Sequence, residues 1–326
     1  MHEFGGMKAL VTGATGFIGS HLCEELIRRG YRVTCLSRKP SNHTWIETLD
    51  VSFIQGDCSV RESLLEIPGD FDYVFHLAGL TKSCSPEAFF TVNARGTENL
   101  VKAVAERNPN IKRFVHLSSL AAAGPSRDSL PLCEDQVPLP VSNYGKSKLE
   151  GEHAVLHYSS TLPVTILRPP AVYGPRDRDM LVMFQMIKKG FFFDLGKCYY
   201  SLLYVDDLVQ AILLSAEKSS APGNIYFVCD GDLYTGEEIA VRISSVLQVK
   251  ARPVKVPKCT MPLFAAISER LNKQGIINRD RVKDFQHSHW ICDSRKAREE
   301  LGFSPKVGMK EGIQWTADWY RIHRWL

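Results

Sequence analysis

The run KALVTGATGFIGSHLCEELIRRG, from Lys8 to Gly30, decides the fold. Its first five residues are continuously apolar apart from their ends, the pattern of a short strand buried on both faces. Gly13, Gly16 and Gly19 then punctuate a turn, Phe17 to Arg29 carries the apolar period of an amphipathic helix, and Gly30 reads as its C′ stop. Between a strand and a helix, glycines at this spacing permit the tight turn, the close approach of a pyrophosphate and tight helix packing. The helix N-terminus adds free N–H groups and a favourable dipole. A dinucleotide site is the expectation.

Outward from this run, strand patterns recur at 32–37, 51–55, 72–78, 112–118, 163–168 and 224–228, with helix-length patterns such as 93–107 and 144–158 between them. Alternating strands and helices predict an α/β fold, a Rossmann-type doubly wound parallel sheet covered on both faces. After Arg168 the rhythm breaks: 169–203 reads as loop-rich, and the tail holds helix patterns at 236–247, 262–272 and 309–324. We therefore expect a dinucleotide-binding domain over 7–168, to which 204–230 returns. A smaller interleaved C-terminal substrate domain over 169–203 and 231–326 would cover the carboxyl edge of the sheet.

At 326 residues the chain is long enough for about two domains. Hydrophobic residues at 44%, charged residues at 23% and a mean hydropathy of -0.14 exclude disordered and fibrous classes. Forty Lys and Arg against 36 Asp and Glu, without a basic block, give no nucleic-acid stripe. Nine scattered cysteines with no CxxC suit neither a disulfide framework nor a zinc site, so a reducing cytoplasm and no metal are expected. His153 and His157 lack an acidic or cysteine partner at ligand spacing and read as a solvated helix face, while His76 and His116 read as satisfied strand-end residues. No apolar run is long enough to span a membrane. The pattern PLFAAISERL at 262–271 fits a core-facing amphipathic helix, with peripheral membrane contact or subunit docking as the alternatives.

The glycine run together with Tyr144-Gly-Lys-Ser-Lys148 resembles the extended short-chain dehydrogenase/reductase family, also called the NAD(P)-dependent epimerase/dehydratase family. HLAG at 76–79, VNARGTENL at 92–100, LSSLAAAG at 117–124, RPPAVYGPRD at 168–177 and YVDDLVQA at 204–211 carry the resemblance along nearly the whole chain. It implies a cofactor site of Gly13, Thr15, Gly16, Phe17, Ile18, Gly19, Ser37, Arg38, Lys39, Asp57, Cys58, Leu77, Ala78, Gly79, Tyr144, Lys148, Pro169 and Val172. Within it Asp57 would bond the adenine amino group, and Leu77, Ala78 and Gly79 would line the nucleotide. NAD users of the family carry an Asp at the end of the second strand, where this chain reads Ser37-Arg38-Lys39. An arginine fork there binds a 2′-phosphate that a carboxylate would repel. NADP(H) is the preferred cofactor on this reading, with NAD(H) the alternative, and a homodimer through the helices carrying Tyr144 and 93–107 is implied.

Tyr144 and Lys148, four apart on a helix, project from one face, where the ammonium favours the phenolate of a general acid/base. Ser119, at the end of the RFVHLS strand, would hold the substrate oxygen, completing a catalytic set of Ser119, Tyr144 and Lys148. Dehydratases of the family follow the catalytic hydroxyl with an Asp-Glu pair, whereas here Leu120 and Ala121 follow. Nucleotide-sugar enzymes usually place an Asn before VYGP and an Arg-Asp-aromatic run before YVDD, whereas here Pro170 and Tyr200-Ser201-Leu202 stand. These departures, with Phe191, Phe192, Phe193, Tyr199 and Tyr200, suggest an apolar ketone or alcohol, although Lys82, Arg176 and Arg178 offer charge to an anionic one. The leading expectation is thus an NADP(H)-dependent oxidoreductase on an oxo-lipid or sterol-like substrate. The alternatives are a nucleotide-sugar 4-epimerase and a non-catalytic dinucleotide-sensing module.

Overall fold

The computed structural model describes residues 6–39, 42–263, 265–266 and 278–326. Strands β1 (Lys8–Thr12), β2 (Arg32–Ser37), β3 (Val51–Gln55), β4 (Tyr73–His76), β5 (Arg113–Leu117), β6 (Val164–Arg168) and, later in the chain, β11 (Asn224–Phe227) form one sheet in the order β11-β6-β5-β4-β1-β2-β3. Every pairing in it is parallel. The chain winds outward from β1 in one direction through β3, then crosses to β4 and winds the other way. This reversal opens a crevice at the carboxyl ends of β1 and β4, where Thr12 pairs with His76.

Side chains alternate across the sheet, and each face is covered by its own helices. Ala9 and Val11 pack with Leu22, Cys23 and Leu26 of α1 (Phe17–Arg28) and with Leu208 and Ile212 of α7 (Val205–Glu217). Leu10, Val74 and Phe114 pack on the other face with Leu100, Val101 and Val104 of α3 (Gly96–Arg107) and Val155 of α5 (Asn143–His157). Each such aliphatic or aromatic side chain contributes about 1.5–3 kcal/mol when buried. The α1 helix stops as its sequence predicts: Gly30 takes a φ of +84°, and the Tyr31 N–H reaches back to the Leu26 carbonyl at 3.0 Å.

Two segments depart from expectation, and a third falls largely outside the described residues. The stretch read as loop-rich contains β7 (Ala171–Tyr173), the eleven-residue α6 (Arg178–Lys188), β8 (Phe191–Asp194), β9 (Tyr199–Tyr200) and β10 (Leu202–Tyr204). The signal for α6 was present: Asp177 caps it, accepting from the Asp179 and Met180 N–H groups, and Met180, Leu181, Phe184 and Ile187 follow at helical spacing. The helix expected over 93–107 is entered through a π-helical turn, Phe90–Arg95, that continues α2 (Pro86–Phe89). The 262–272 pattern lies largely outside the described residues.

A separate apolar cluster joins Phe184 and Ile187 of α6, Phe192, Tyr173, Tyr204, Ile239 and Ile243 of α8 (Gly236–Leu247), and Ile313, Ala317 and Tyr320 of the C-terminal helix Met309–Ile322. Small sheets tie it together, β7 with β10, β8 with β13 (Arg252–Lys255), and β9 with β12 (Tyr234–Thr235) and β14 (His289–Trp290).

Candidate active site

The turn after β1 is shaped by contacts that exclude side chains. Gly13 has a φ of +71°, and a methyl group there would lie 2.7 Å from the Ala78 nitrogen. At Gly19 a methyl would lie 2.1 Å from the Gly13 carbonyl oxygen. Gly16 is the N-cap of α1, with no side-chain cap and no acidic residue in the first turn, so the helix end is left to an outside anion. Thr15 lies half-buried in the turn, while Phe17 and Ile18 pack toward the second cluster. The Leu77 and Ala78 N–H groups donate to the Thr12 carbonyl and hydroxyl oxygens at 3.2 and 3.1 Å, tying the two strand ends together. This cradle fits a dinucleotide pyrophosphate.

At the far end of the crevice, Ser37 ends β2 and its carbonyl accepts from the Gly56 N–H at 3.0 Å. Arg38 and Lys39 are exposed beside it. The Arg38 guanidinium approaches the Asp57 carboxylate at 4.0 Å. Asp57 itself accepts from the Ser59 N–H at 2.8 Å. The Cys58 thiol is buried in the face packed by α3, which pushes its pKa up to about 12, and the Cys58 carbonyl accepts from Asn99 at 2.9 Å. Pro169 and Val172 follow β6, the Pro169 carbonyl accepting from the Leu120 N–H at 2.8 Å.

The three proposed catalytic side chains converge at the carboxyl end of β5. Ser119 is the N-cap of α4 (Leu120–Ala123), its hydroxyl accepting from the Ala121 N–H at 3.1 Å. Burial raises the Tyr144 phenol above its ordinary value; the neighbouring Ser119 hydroxyl and the Arg281 charge oppose that rise, while Asp284 and Asp179 add to it. Lys148, on the next turn of α5, donates to the Leu117 carbonyl at 2.7 Å rather than to the phenol. Burial lowers its pKa to about 8, with Glu152 pulling the other way. A methyl on Gly79 would lie 3.9 Å from the Lys148 ammonium, so the lysine faces the cofactor loop as well. Behind this group Glu152 and Arg168 form a buried bidentate pair at 2.9 and 2.6 Å, and Ser118 donates to Glu152.

Several side chains named for the substrate side engage partners within the chain. Arg176, at a φ of +72°, donates to Ser20 at 3.0 Å and Glu24 at 2.5 Å on α1 and lies over the Trp45 ring. Arg178 lies over Trp325, and Lys82 pairs with Asp179. Phe192 is core, Phe191 packs edge-on with Phe193, and Tyr199 stacks on His289. His76 is satisfied by Thr12 at 2.7 Å and Thr97 at 2.9 Å, as expected. His116 is not: it is buried, stacks on His76 at 5.2 Å between ring centroids, and neither ring nitrogen has a hydrogen-bond partner among the described residues. Burial holds it well below the ordinary imidazole range, and so neutral.

Sequence reasoning also missed residues at the site. The Phe89 ring packs edge-on against Tyr144 at 6.1 Å, giving the phenol an apolar wall. Asn93, on the π-helical turn, accepts from the Leu80 N–H at 2.7 Å and donates to the Leu80 carbonyl and the Ser147 hydroxyl, both at 2.9 Å. It thereby ties the loop after β4 to α5. The π register turns this side chain inward, and nothing in a helix-period pattern marks such a turn.

Comparison with known proteins agrees with this geometry. The sequence profile of the NAD dependent epimerase/dehydratase family matches residues 9–229. A ceramide reductase of Caulobacter vibrioides is 29% identical, covering 97% of this chain and 95% of its own length. A Stigmatella aurantiaca ketoreductase, named for 4-hydroxy-2-methyl-3-oxo-4-farnesyl-3,4-dihydroquinoline-1-oxide, is 27% identical and covers 94% of this chain and 95% of its own. Among solved structures, a UDP-glucose 4-epimerase of Thermotoga maritima superposes with a TM-score of 0.82 at 26% identity, covering 98% of this chain and all of its own. The fold and site define an enzyme that uses a nicotinamide dinucleotide, an oxidoreductase or epimerase. The chain belongs to the NAD dependent epimerase/dehydratase family. Among the described residues no helix is long and apolar enough to cross a membrane.

Proposed function

We propose that the protein is an NADP(H)-dependent ketone reductase or alcohol dehydrogenase acting on an apolar substrate, an oxo-lipid or sterol-like compound. The observation that carries this reading is the meeting of Ser119, Tyr144 and Lys148 beside Gly79, with Leu120 and Ala121 where an eliminating acid pair would stand. A nicotinamide dinucleotide held by the Gly13–Gly19 turn and Lys148 would supply or accept the hydride. Ser119 orients the substrate oxygen, and Tyr144 gives its phenolic proton to that oxygen as the carbonyl becomes a carbinol. Lys148 and Arg281 stabilise the phenolate left behind until solvent returns the proton.

Support for an apolar substrate is local. Phe89 walls the phenol, Ser201 is buried and accepts from the Cys292 N–H at 3.1 Å, Leu202 is buried, Arg176 is engaged by Glu24, and Arg178 lies over Trp325. The reductase names of the sequence relatives point the same way. Ser37 in place of an acid at the end of β2, followed by Arg38, supports NADP(H). The same reading gives cofactor binding to 7–168 with 204–230 and substrate binding to 169–203 with 231–326. It includes a homodimer through α3 and α5, and a reducing cytoplasm that suits nine free cysteines.

The likeness to the UDP-glucose 4-epimerase favours a second reading, nucleotide-sugar 4-epimerisation. A sensing module has no use for an assembled Ser119–Tyr144–Lys148 set. The deciding experiment incubates the protein and NADPH with 2-alkyl-3-oxoalkanoates, oxo-ceramides and sterol ketones, and separately with UDP-, GDP- and dTDP-sugars. NADPH loss stoichiometric with carbinol is expected for a ketone. Ligands stabilise the fold that binds them, so a clear thermal shift with UDP, together with sugar interconversion at constant NADPH, would establish the epimerase instead.

A further inference from the structure

The N-terminus of α5 is held by an acid from far along the chain. The first N–H groups of a helix have no intrahelical acceptor. The Ser142 side chain accepts from the Gly145 N–H at 3.2 Å, which leaves those of Asn143 and Tyr144 to an outside group. Asp280 accepts both, through Oδ1 from Asn143 at 2.8 Å and through Oδ2 from Tyr144 at 3.0 Å. This buried carboxylate lies in the first turn of the helix Arg279–Phe285, whose start is fixed by Asn278 accepting from the Arg281 N–H at 2.8 Å. One turn on, Asp284 lies beside the Ser142 side chain, which opposes the upward push of burial on its carboxyl, so the short helix approaches the entrance to α5 at two places. Between them Arg281 donates to Asp179 at 3.0 Å, and Asp179 also holds Lys82.

We propose that Asp280 is a positioning residue for Tyr144, its carboxylate gripping the Asn143 and Tyr144 amides so that the phenol stays over Ser119. The inference rests on Tyr144 being the proton donor. A carboxylate is favoured at a helix N-terminus, and charge-assisted bonds to two successive amides restrain the first turn in more than one direction. Any pivot of that turn is magnified at the far end of the phenol. Lys148 is anchored separately on Leu117, so cofactor affinity does not depend on the grip.

The test compares wild type, Asp280→Ala, the near-isosteric Asp280→Asn, which keeps one acceptor, and Tyr144→Phe. Turnover is followed as NADPH oxidation with the 2-alkyl-3-oxoalkanoate or oxo-ceramide that wild type reduces. NADPH affinity is measured by fluorescence, and exchange of the 143 and 144 amides by mass spectrometry. A misplacement of about 1 Å lowers turnover on the order of a hundredfold, so kcat should fall roughly ten- to a hundredfold in Asp280→Ala and less in Asp280→Asn. KM for the ketone and NADPH affinity should stay within about twofold, and exchange of the two amides should accelerate. Unchanged amide exchange overturns the proposal whatever the activity. So does an unchanged kcat, or a loss spread equally over kcat, KM and cofactor affinity. Should Asp280→Ala not fold, Asp280→Asn carries the same comparison. Full turnover by Tyr144→Phe would instead sink the assignment of the proton donor, and the amide exchange would still report the grip.

Discussion

The ammonium of Lys148 donates to the main-chain carbonyl of Leu117 at 2.7 Å, two residues before Ser119 on the same strand end. One bond thus fixes the spacing between α5, which carries Tyr144, and β5, which delivers Ser119. The serine and tyrosine meet because the lysine of the next helical turn is anchored on the strand between them.

Replacing Tyr144 with Phe removes the proton and leaves the ring against Phe89 in place. Turnover should drop by roughly two to four decades, the usual worth of a positioned general acid. Cofactor affinity, measured by fluorescence titration, should stay near that of wild type. Steady-state NADPH oxidation gives the rate, and wild-type turnover in the variant would remove Tyr144 from the mechanism.

Lys148 gives a pH dependence whose sign can be worked out. Its pKa is about 8 in the fold against an ordinary 10.5. Between those values the unfolded chain binds more protons, so this lysine's contribution makes stability rise with pH there. The cost of burying its charge is fully present below the folded pKa and is relieved above it. Lys148→Met should therefore melt higher than wild type near neutral pH without cofactor, with the gap closing toward about pH 10. Paired thermal melts of the two proteins across that range check this, and a gap that widens with pH would contradict it.

Glu152 and Arg168 are 0% and 2% exposed and pair in bidentate fashion. Changing Glu152 alone to Ala leaves a buried guanidinium uncompensated and should cost about 3–5 kcal/mol. The double change Glu152→Leu with Arg168→Met should recover most of that loss, since apolar residues of similar size often replace a buried pair without penalty. Urea unfolding of the three proteins is the measurement. Because Ser118 donates to Glu152, the single variant should also lose activity beyond what its stability explains.

For cofactor choice, Asp57 tempers what the sequence suggests. Arg38 is largely exposed and lies 4.0 Å from that carboxylate, so its pull on a 2′-phosphate is screened and shared. We expect NADPH to bind about tenfold more tightly than NADH, a difference of about 1.4 kcal/mol. Ser37→Asp with Arg38→Asn should reverse the preference by supplying an acceptor for the ribose hydroxyls and repelling the phosphate. Fluorescence titration of both cofactors into both proteins decides it; a wild type that binds NADH as tightly as NADPH would remove Arg38 from the site.

Gly13 offers a test of the loop itself. Ala there meets backbone atoms at 2.7 to 2.9 Å and must adopt a positive φ. Cofactor binding should fall by at least about a hundredfold, more than local destabilisation of roughly 1–2 kcal/mol would produce in a protein that stays folded. Calorimetric titration with NADP+ and NAD+ at a temperature well below melting separates the two effects.

What the sequence determined by itself was whatever local period and spacing encode. The β1–glycine–α1 unit, the parallel sheet and the shared helix face of Tyr144 and Lys148 all follow from patterns shorter than about twenty residues, and the structure bears out the sheet. The α6 helix was legible too, through Asp177 and the period after it, but Pro175 and Gly174 before it suggested a loop. What only the tertiary structure decided are contacts between residues far apart. Asp280 reaches Tyr144 across 136 positions, and Arg176 reaches Glu24 across 152. Asn93 turns inward because a π-helical turn shifts its register, and His116 loses its partners because two strands set it beside His76. No local preference selects such partners: chain winding and close packing bring them together, and burial then makes each meeting consequential.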